Sequence, residues 1–184
     1  MNSIKQIEVI YNNRLVGRLA LTREGLCAFE YSAEWLSSGF SISPFELPLR
    51  SGVFIAKPRP FEGGFGVFDD CLPDGWGLLI LDRYLQQKGI NPRTLTLLDR
   101  LALVGSTGRG ALEFRPDNSV VTRQDFADFE KLALEAEKIL ASDDYMGEGI
   151  EEFQDRGGSP GGARPKIFVR YNDKEWLVKF RAKR

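Results

Sequence analysis

The chain has 184 residues, of which 42% are hydrophobic and 28% charged, and its formal net charge is −1. This length is sufficient to bury a core and predicts one domain or two small ones. The near-zero charge argues against a general attraction to nucleic acid or anionic lipid, and the absence of histidine nearly excludes zinc sites and His-based catalytic triads.

The compartment can be inferred from the apolar segments and the cysteines. No apolar run approaches the roughly 20 residues that a membrane span requires, and the first ten residues lack the basic and apolar regions of a signal peptide. Cys27 and Cys71 lie in apolar stretches without a CxxC partner, which is typical of buried free thiols. We therefore expect a cytoplasmic protein that makes no membrane contact.

The first third of the chain has the composition of a twisted sheet or partial barrel. Strands IEVIY and RLVGRLAL flank Asn12-Asn13, a pair that tolerates positive φ in a two-residue hairpin turn, and Glu24-Gly25 offers a second turn before LCAFEY. Scattered proline and glycine between Ser41 and Phe68 predict loops with short strands such as GVFIA.

Two helices are predicted next. In LPDGWGLLILDRYLQQKG, Asp74 is expected to cap the start and Gly89 the end, with burial on nearly two sides because Leu78 and Leu81 widen the apolar stripe. A capping box from Thr96 to Asp99 predicts a second helix, followed by ALEF as a strand.

A third helix is predicted over residues 123–140, with Thr122 as its N-cap and Asp125 three residues later. Its apolar face would contain Phe126, Phe129, Leu132, Ala136 and Ile139. The segment Pro116–Ser119 is the best candidate for a boundary, and it divides the chain into residues 1–118 and 119–184. Six acidic residues over 143–155 precede a basic stretch over 164–184, which is either a solvated surface or a face for a polyanion such as nucleotide phosphates.

The segment GGSPGGARPK, residues 157–166, contains four glycines that allow backbone N–H groups to converge on an anion. A glycine-rich turn explains the segment equally well, and the spacing fits neither a P-loop nor a dinucleotide fingerprint. The strands KIFVR and EWLVKF follow, joined by a polar turn. Alternation puts Trp176, Val178 and Phe180 on one face and Leu177 with Lys179 on the other. Lys179 is either an edge-strand lysine or a phosphate ligand of the type that protein kinases place on a strand.

Four segments together resemble HipA-type serine/threonine kinases, the toxins of bacterial toxin–antitoxin pairs. They are FDDCLPDGWGLLILDRYL (68–85), LTLLDRLALVGSTGRGALEFRP (95–116), SPGGARPK (159–166) and WLVKF (176–180), and they occur in the expected order. The resemblance implies an α+β fold, in which residues 1–118 form a β-rich N-terminal subdomain with helices and residues 119–184 begin a kinase-like N-lobe.

The resemblance also implies a site. Ser159 matches the loop serine that such kinases autophosphorylate, and Lys179 would contact the ATP phosphates. The loop residues that would line these phosphates are Gly161, Gly162, Ala163, Arg164, Pro165 and Lys166. No Asp is followed by Asn five positions later and DFG is absent, so we expect no catalytic residue and no metal ligand in this chain, with Mg²⁺ held by a missing C-terminal lobe.

Two functions follow as expectations. The chain is either the N-terminal part of a kinase that transfers phosphate from ATP to a protein and is inactive without its C-terminal lobe, or a stand-alone module that restrains a partner kinase in trans. The resemblance implies a cognate antitoxin and a protein substrate as partners, with nucleic acid contacted only indirectly through the antitoxin.

Overall fold

The computed structural model describes residues 4–119, 128–142, 144–156 and 161–181. Two compact units contain them: the first is formed by the segments 1–72 and 95–119, and the second by the segments 73–94 and 120–184. The mixture of strands and helices confirms the predicted α+β class.

In chain order, the strands are β1 (Gln6–Tyr11), β2 (Arg14–Leu21), β3 (Cys27–Tyr31), β4 (Val53–Ile55), β5 (Leu112–Arg115), β6 (Lys166–Tyr171) and β7 (Lys174–Lys179). The helices are α1 (Ala33–Ser38), α2 (Gly66–Asp69), α3 (Gly75–Gln87), α4 (Leu97–Val104), α5 (Phe129–Ala141) and α6 (Gly149–Asp155), with a 3₁₀ turn at Pro92–Thr94. No helix within the described ranges is both long and apolar enough to cross a membrane.

The first unit is built on an antiparallel sheet with the strand order β4-β3-β2-β1-β5. Asn12 and Asn13 turn the chain between β1 and β2 with φ values of 48° and 61°, and Gly25 lies in the next turn with φ of 80°. Asn12 and Asn13 have the conformations that a two-residue hairpin turn requires, whereas Gly25 belongs to a longer loop that Thr22 and Leu26 close by a backbone hydrogen bond. The predicted strands GVFIA and ALEF are also confirmed, as β4 and β5.

One face of this sheet packs on helices to form the core of the first unit. Alternate residues of the strands are buried, as expected for a sheet that is covered on one face, and Trp35 of α1 is only 1% exposed. The largest fully buried side chains here are Trp35, Phe29, Phe68, Phe114, Ile7, Leu19, Leu47, Leu98 and Leu101. Cys27 and Cys71 are free thiols, and burial raises the pKa of each to about 11.

The predicted capping box at the start of α4 is confirmed. The Thr96 Oγ1 accepts from the Asp99 backbone N–H at 3.2 Å, while Asp99 Oδ2 accepts from the Thr96 N–H at 3.0 Å. Asp99 Oδ1 also accepts from the N–H of Ile4 at 3.0 Å. Burial acts to raise the pKa of Asp99, but the hydrogen bonds from Ile4 and Thr96 outweigh it and lower the pKa.

The second unit packs three helices against a hairpin. Its core contains Trp76, Ile80, Leu132, Ala136, Ile139, Ile150, Phe153, Ile167, Val169 and Phe180. Trp76 is 3% exposed and lies edge-to-face against Phe153, with ring centroids 5.0 Å apart. Arg83 of α3 donates a buried hydrogen bond to the carbonyl oxygen of Ile139 at 2.6 Å, so α3 and α5 are joined by a polar contact as well.

Helix α3 therefore belongs to a different unit from the one predicted. The sequence predicts it inside the subdomain 1–118, whereas its apolar side chains Trp76 and Ile80 pack with α5, α6 and the hairpin. The end of the first unit at Ser119 lies beside the predicted boundary. Leu81 is buried but Leu78 is 36% exposed, so the predicted two-sided burial is only partly correct.

The start of the third predicted helix is also corrected. Its N-cap is Asp128, whose Oδ1 accepts from the N–H of Lys131 at 3.0 Å, and not Thr122. This carboxylate satisfies a first-turn N–H that would otherwise have no partner in the helix. Phe129 is 46% exposed, against the prediction, while Leu132, Ala136 and Ile139 are buried as predicted. Thr122, Asp125 and Phe126 lie outside the described residues.

Candidate functional site

The described part of the glycine loop runs from Gly161 to Pro165 and leads directly into β6. Gly161 and Gly162 have φ values of 82° and 84°, in the left-handed region that strongly favours glycine. Ala163 and Arg164, the next two residues, are exposed. The predicted residues Gly157, Gly158 and Ser159 lie outside the described part of the chain.

The predicted hairpin follows this loop. Asn172 and Asp173 turn the chain with φ values of 50° and 56°, and the register places Lys166 directly opposite Lys179. Directly opposed residues of an antiparallel pair project from the same face. Lys166 and Lys179 therefore share one face of the hairpin, although Lys166 is 6% exposed and Lys179 is open to solvent.

The opposite face of β7 is only partly buried. Val178 and Phe180 contribute to the core of the second unit, as their predicted alternation requires. Trp176 lies on the same side of the strand but is 53% exposed. The backbone N–H of Phe180 donates to the carbonyl oxygen of Pro165 at 2.9 Å, which fixes the end of the glycine loop to the end of β7.

The ammonium group of Lys166 is held by the loop itself. Its Nζ donates to the carbonyl oxygens of Gly161 and Gly162 at 2.5 and 2.7 Å. Burial lowers the pKa of Lys166, the carboxylate of Asp74 acts in the opposite direction, and the nearby cation of Lys179 lowers the pKa further. The loop thus encloses one charged side chain while a second stays exposed beside it.

The start of α3 contacts the same loop. Asp74 Oδ1 accepts from the backbone N–H of Gly162 at 3.1 Å, and the N–H of Trp76 donates to the carbonyl oxygen of Gly162 at 3.1 Å. Gly75 has φ of 47°, and a Cβ at this position would lie 2.6 Å from the carbonyl carbon of Gly162. Asp74 is the N-cap residue of α3, as predicted, but within the described contacts its carboxylate makes no capping hydrogen bond in its own helix.

The structure brings most of the predicted loop residues together and adds a segment that the sequence did not reveal. Asp74 and Gly162 are 88 residues apart, and no pattern in the chain relates them. The only local signal was an aspartate followed by glycine at a helix start, which is also what an ordinary cap looks like.

The loop is compatible with a phosphate ligand on structural grounds. Two glycines in left-handed conformations keep Cβ atoms away from the backbone, and the exposed Lys179 supplies a positive charge beside it. Among the residues that the structure describes, no group of three or more Cys, Asp or Glu side chains is arranged to hold a metal ion.

A family model described as HipA N-terminal domain matches residues 7–115. The chain belongs to this family. A chain of the solved Shewanella oneidensis MR-1 toxin–antitoxin complex of HipA, HipB and operator DNA is similar in fold, with a TM-score of 0.53 and 21% sequence identity. The match covers 93% of this HipA-family chain but only 37% of the other. No curated protein matched the sequence.

Proposed function

We propose that this chain is the N-terminal part of a HipA-like serine/threonine protein kinase, the toxin of a toxin–antitoxin pair, and that it helps to hold the phosphates of ATP. The observation that carries the proposal is the combination of Gly161 and Gly162 in left-handed conformations with the exposed Lys179 on the adjoining strand. Protein kinases use a glycine-rich loop and a strand lysine in this way.

The proposed site consists of the loop residues 161–166 and Lys179. Backbone N–H groups of the loop other than that of Gly162, which donates to Asp74, orient phosphate oxygens, and Lys179 neutralises their charge as a compact cation. Bound ATP would supply the phosphoryl group to be transferred to a protein. The carboxylates that bind Mg²⁺ and activate the substrate hydroxyl are proposed to lie in a C-terminal lobe, since the chain spans 37% of the length of the HipA-complex protein.

The proposed partners follow from the same family. A solved complex contains HipA, HipB and operator DNA, which supports an antitoxin as the partner of this protein and nucleic acid as an indirect one. Ser159 is proposed as the autophosphorylated residue, and the cytoplasm as the location.

The proposal is tested with two proteins, residues 1–184 alone and the same chain joined to a HipA-type C-terminal lobe. We expect the longer protein to transfer radiolabelled phosphate and the 184-residue chain to be inactive. Lys179→Met in the longer protein should lower the rate by about 10² to 10³, as loss of an electrostatic stabiliser does in other enzymes. Phosphate transfer by residues 1–184 alone, or failure of the longer protein to bind ATP, would contradict the proposal.

A second candidate is a stand-alone module that restrains a partner kinase. Exposed apolar side chains on the first unit favour it: Phe45 is 99% exposed, Val53 is 56% exposed and Ile55 is 61% exposed. Val53 and Ile55 lie two residues apart on the edge strand β4 and so project from the same face, and a contiguous exposed apolar surface often marks a protein contact site. In this case Phe45→Ser should weaken binding to the kinase without changing the fold, whereas Lys179→Met should leave binding unchanged.

A further inference from the structure

The backbone N–H and the carbonyl oxygen of Gly162 are both hydrogen-bonded, and their partners come from two separate segments of the chain. Its N–H donates to Asp74 Oδ1 at 3.1 Å, and its carbonyl oxygen accepts from the Trp76 N–H at 3.1 Å and from Lys166 Nζ at 2.7 Å. A hydrogen bond to a charged group is worth about twice a neutral one. Two of these three bonds are of that kind, so Gly162 is the most strongly anchored residue of the described loop.

The two lysines on this face of the hairpin are not equivalent. Lys166 and Lys179 are opposite each other in register, but the ammonium group of Lys166 points back to two loop carbonyls and the residue is 6% exposed. An anion that reached Lys166 would have to displace these carbonyl oxygens. Lys179 is exposed, and among the described residues its ammonium group makes no hydrogen bond to a loop carbonyl.

We infer that Lys166 is a positioning residue that, with Asp74 and the N–H of Trp76, clamps Gly162 and sets the conformation of the anion-binding loop, while Lys179 is the cation that contacts the phosphate. The assignment of a phosphate role to Lys179 depends on the proposed function. The clamp itself does not, because all of its contacts are made between residues of this chain.

The close approach of α3 to the loop supports this assignment. Gly75 lets the start of α3 lie against the peptide that follows Gly162, since any Cβ would meet backbone atoms at 2.6 to 3.0 Å. Contacts below 3.0 Å force a shift of backbone when the neighbour is not a flexible side chain. The backbone of α3 is thus shaped to receive the loop, and the Asp74 carboxylate completes the contact.

The first test is ligand-free and uses NMR hydrogen exchange of the Gly162 amide in residues 1–184. Lys166→Met keeps the apolar stem and removes the ammonium group, and Lys179→Met is the matched control on the opposite strand. We expect exchange at Gly162 to accelerate at least tenfold in Lys166→Met, with less than twofold change at Val169 of β6 and no change in Lys179→Met. An unchanged Gly162 amide in Lys166→Met would overturn the clamp.

A second variant keeps the hypothesis testable if Lys166→Met does not fold. Asp74 is exposed, so Asp74→Ala is expected to fold, and it should also accelerate exchange at Gly162. Asp74→Asn retains an oxygen acceptor and should restore most of the protection. If exchange at Gly162 accelerates equally in both variants, or in neither of them, the carboxyl oxygen does not hold the loop.

The roles of the two lysines are separated by reductive methylation with and without ATP, using the chain joined to a HipA-type C-terminal lobe. Lys166 should stay unreactive in both conditions, whereas Lys179 should be methylated in the free protein and protected at least tenfold by ATP. A Lys166 that is reactive alone and protected by ATP would overturn its positioning role. Absence of ATP protection at Lys179 would instead contradict the proposed function and leave the clamp supported by the exchange result.

Discussion

Helices α3 and α4 each have an aspartate at their start: Asp74 directly precedes α3, and Asp99 lies in the first turn of α4. The two carboxylates accept hydrogen bonds from different parts of the chain. Asp99 closes a box with Thr96 at the start of its own helix and also binds the N–H of Ile4. Asp74 accepts instead from Gly162, 88 residues away. An aspartate at a helix start can therefore stabilise either the helix or a distant loop, and burial accompanies the first role here.

The largest effect is expected from Asp99→Ala. The variant removes the acceptor of the Ile4 and Thr96 N–H groups, and Asp99 itself is only 3% exposed. The loss should cost roughly 4 kcal/mol of unfolding free energy, because these N–H groups would be left unsatisfied. Asp128→Ala, which removes a single cap hydrogen bond from an exposed aspartate, is the control and should cost about 1 kcal/mol. Urea unfolding measures both, and equal losses would show that the buried carboxylate of Asp99 stabilises the fold no more than the exposed cap at Asp128.

The carboxylate of Asp99 should also make the free energy of unfolding depend on pH. Because the pKa of Asp99 is lowered in the folded state, its contribution to stability is fully present above the unfolded value of about 3.9 and is lost as the pH falls through the lowered value. Wild-type protein should therefore lose more unfolding free energy between pH 6 and pH 3 than Asp99→Asn does. Parallel curves for the two proteins would show that the group does not titrate with folding.

At the start of α3 the largest effect should come from the backbone. Gly75→Ala combines a left-handed conformation with a Cβ at 2.6 Å from the Gly162 carbonyl carbon, and we expect a loss of roughly 3 kcal/mol. Gly89→Ala, at the other end of the helix, has φ of 73° with no atom within 4 Å of its Cβ. It should cost only about 1 to 2 kcal/mol. Equal losses in thermal unfolding would indicate that contact with the loop contributes nothing.

Thr96→Ala should have an intermediate effect of about 1 to 2 kcal/mol, because it removes the cap of α4. The matched change at α3 is Asp74→Ala, which removes no capping hydrogen bond found among the described contacts. That variant removes the exposed hydrogen bond from the Gly162 N–H, so it should lose about 0.5 to 1 kcal/mol in urea unfolding. A larger loss for Asp74→Ala than for Thr96→Ala would reverse the two roles.

The sequence predicted those features that depend on neighbouring residues. Asn12-Asn13 and the Thr96–Asp99 box are local, since the residues that interact lie within a few positions of each other, and both were predicted correctly. The partner of Asp74 could not be predicted, because its contact with Gly162 exists only after α3 joins α5, α6 and the hairpin. Burial of Lys166 has the same cause, as alternation places it opposite Lys179 but does not show that the loop folds over it.

The third helix illustrates a different limit. Two helix starts are acceptable on local grounds. One is Thr122, which has an aspartate three residues later, and the other is Asp128, which directly precedes an apolar stripe. Composition does not rank them. The hydrogen bond from Lys131 to Asp128 decides in favour of the second.

The distribution of tryptophans gives this chain a built-in set of optical reporters. Trp35 is enclosed in the first unit and Trp76 in the second, while Trp176 on β7 is 53% exposed. Iodide, which quenches only solvent-accessible indoles, should therefore extinguish mainly the hairpin signal. Single-tryptophan variants would then let fluorescence follow each unit and the hairpin separately as ligand or denaturant is added.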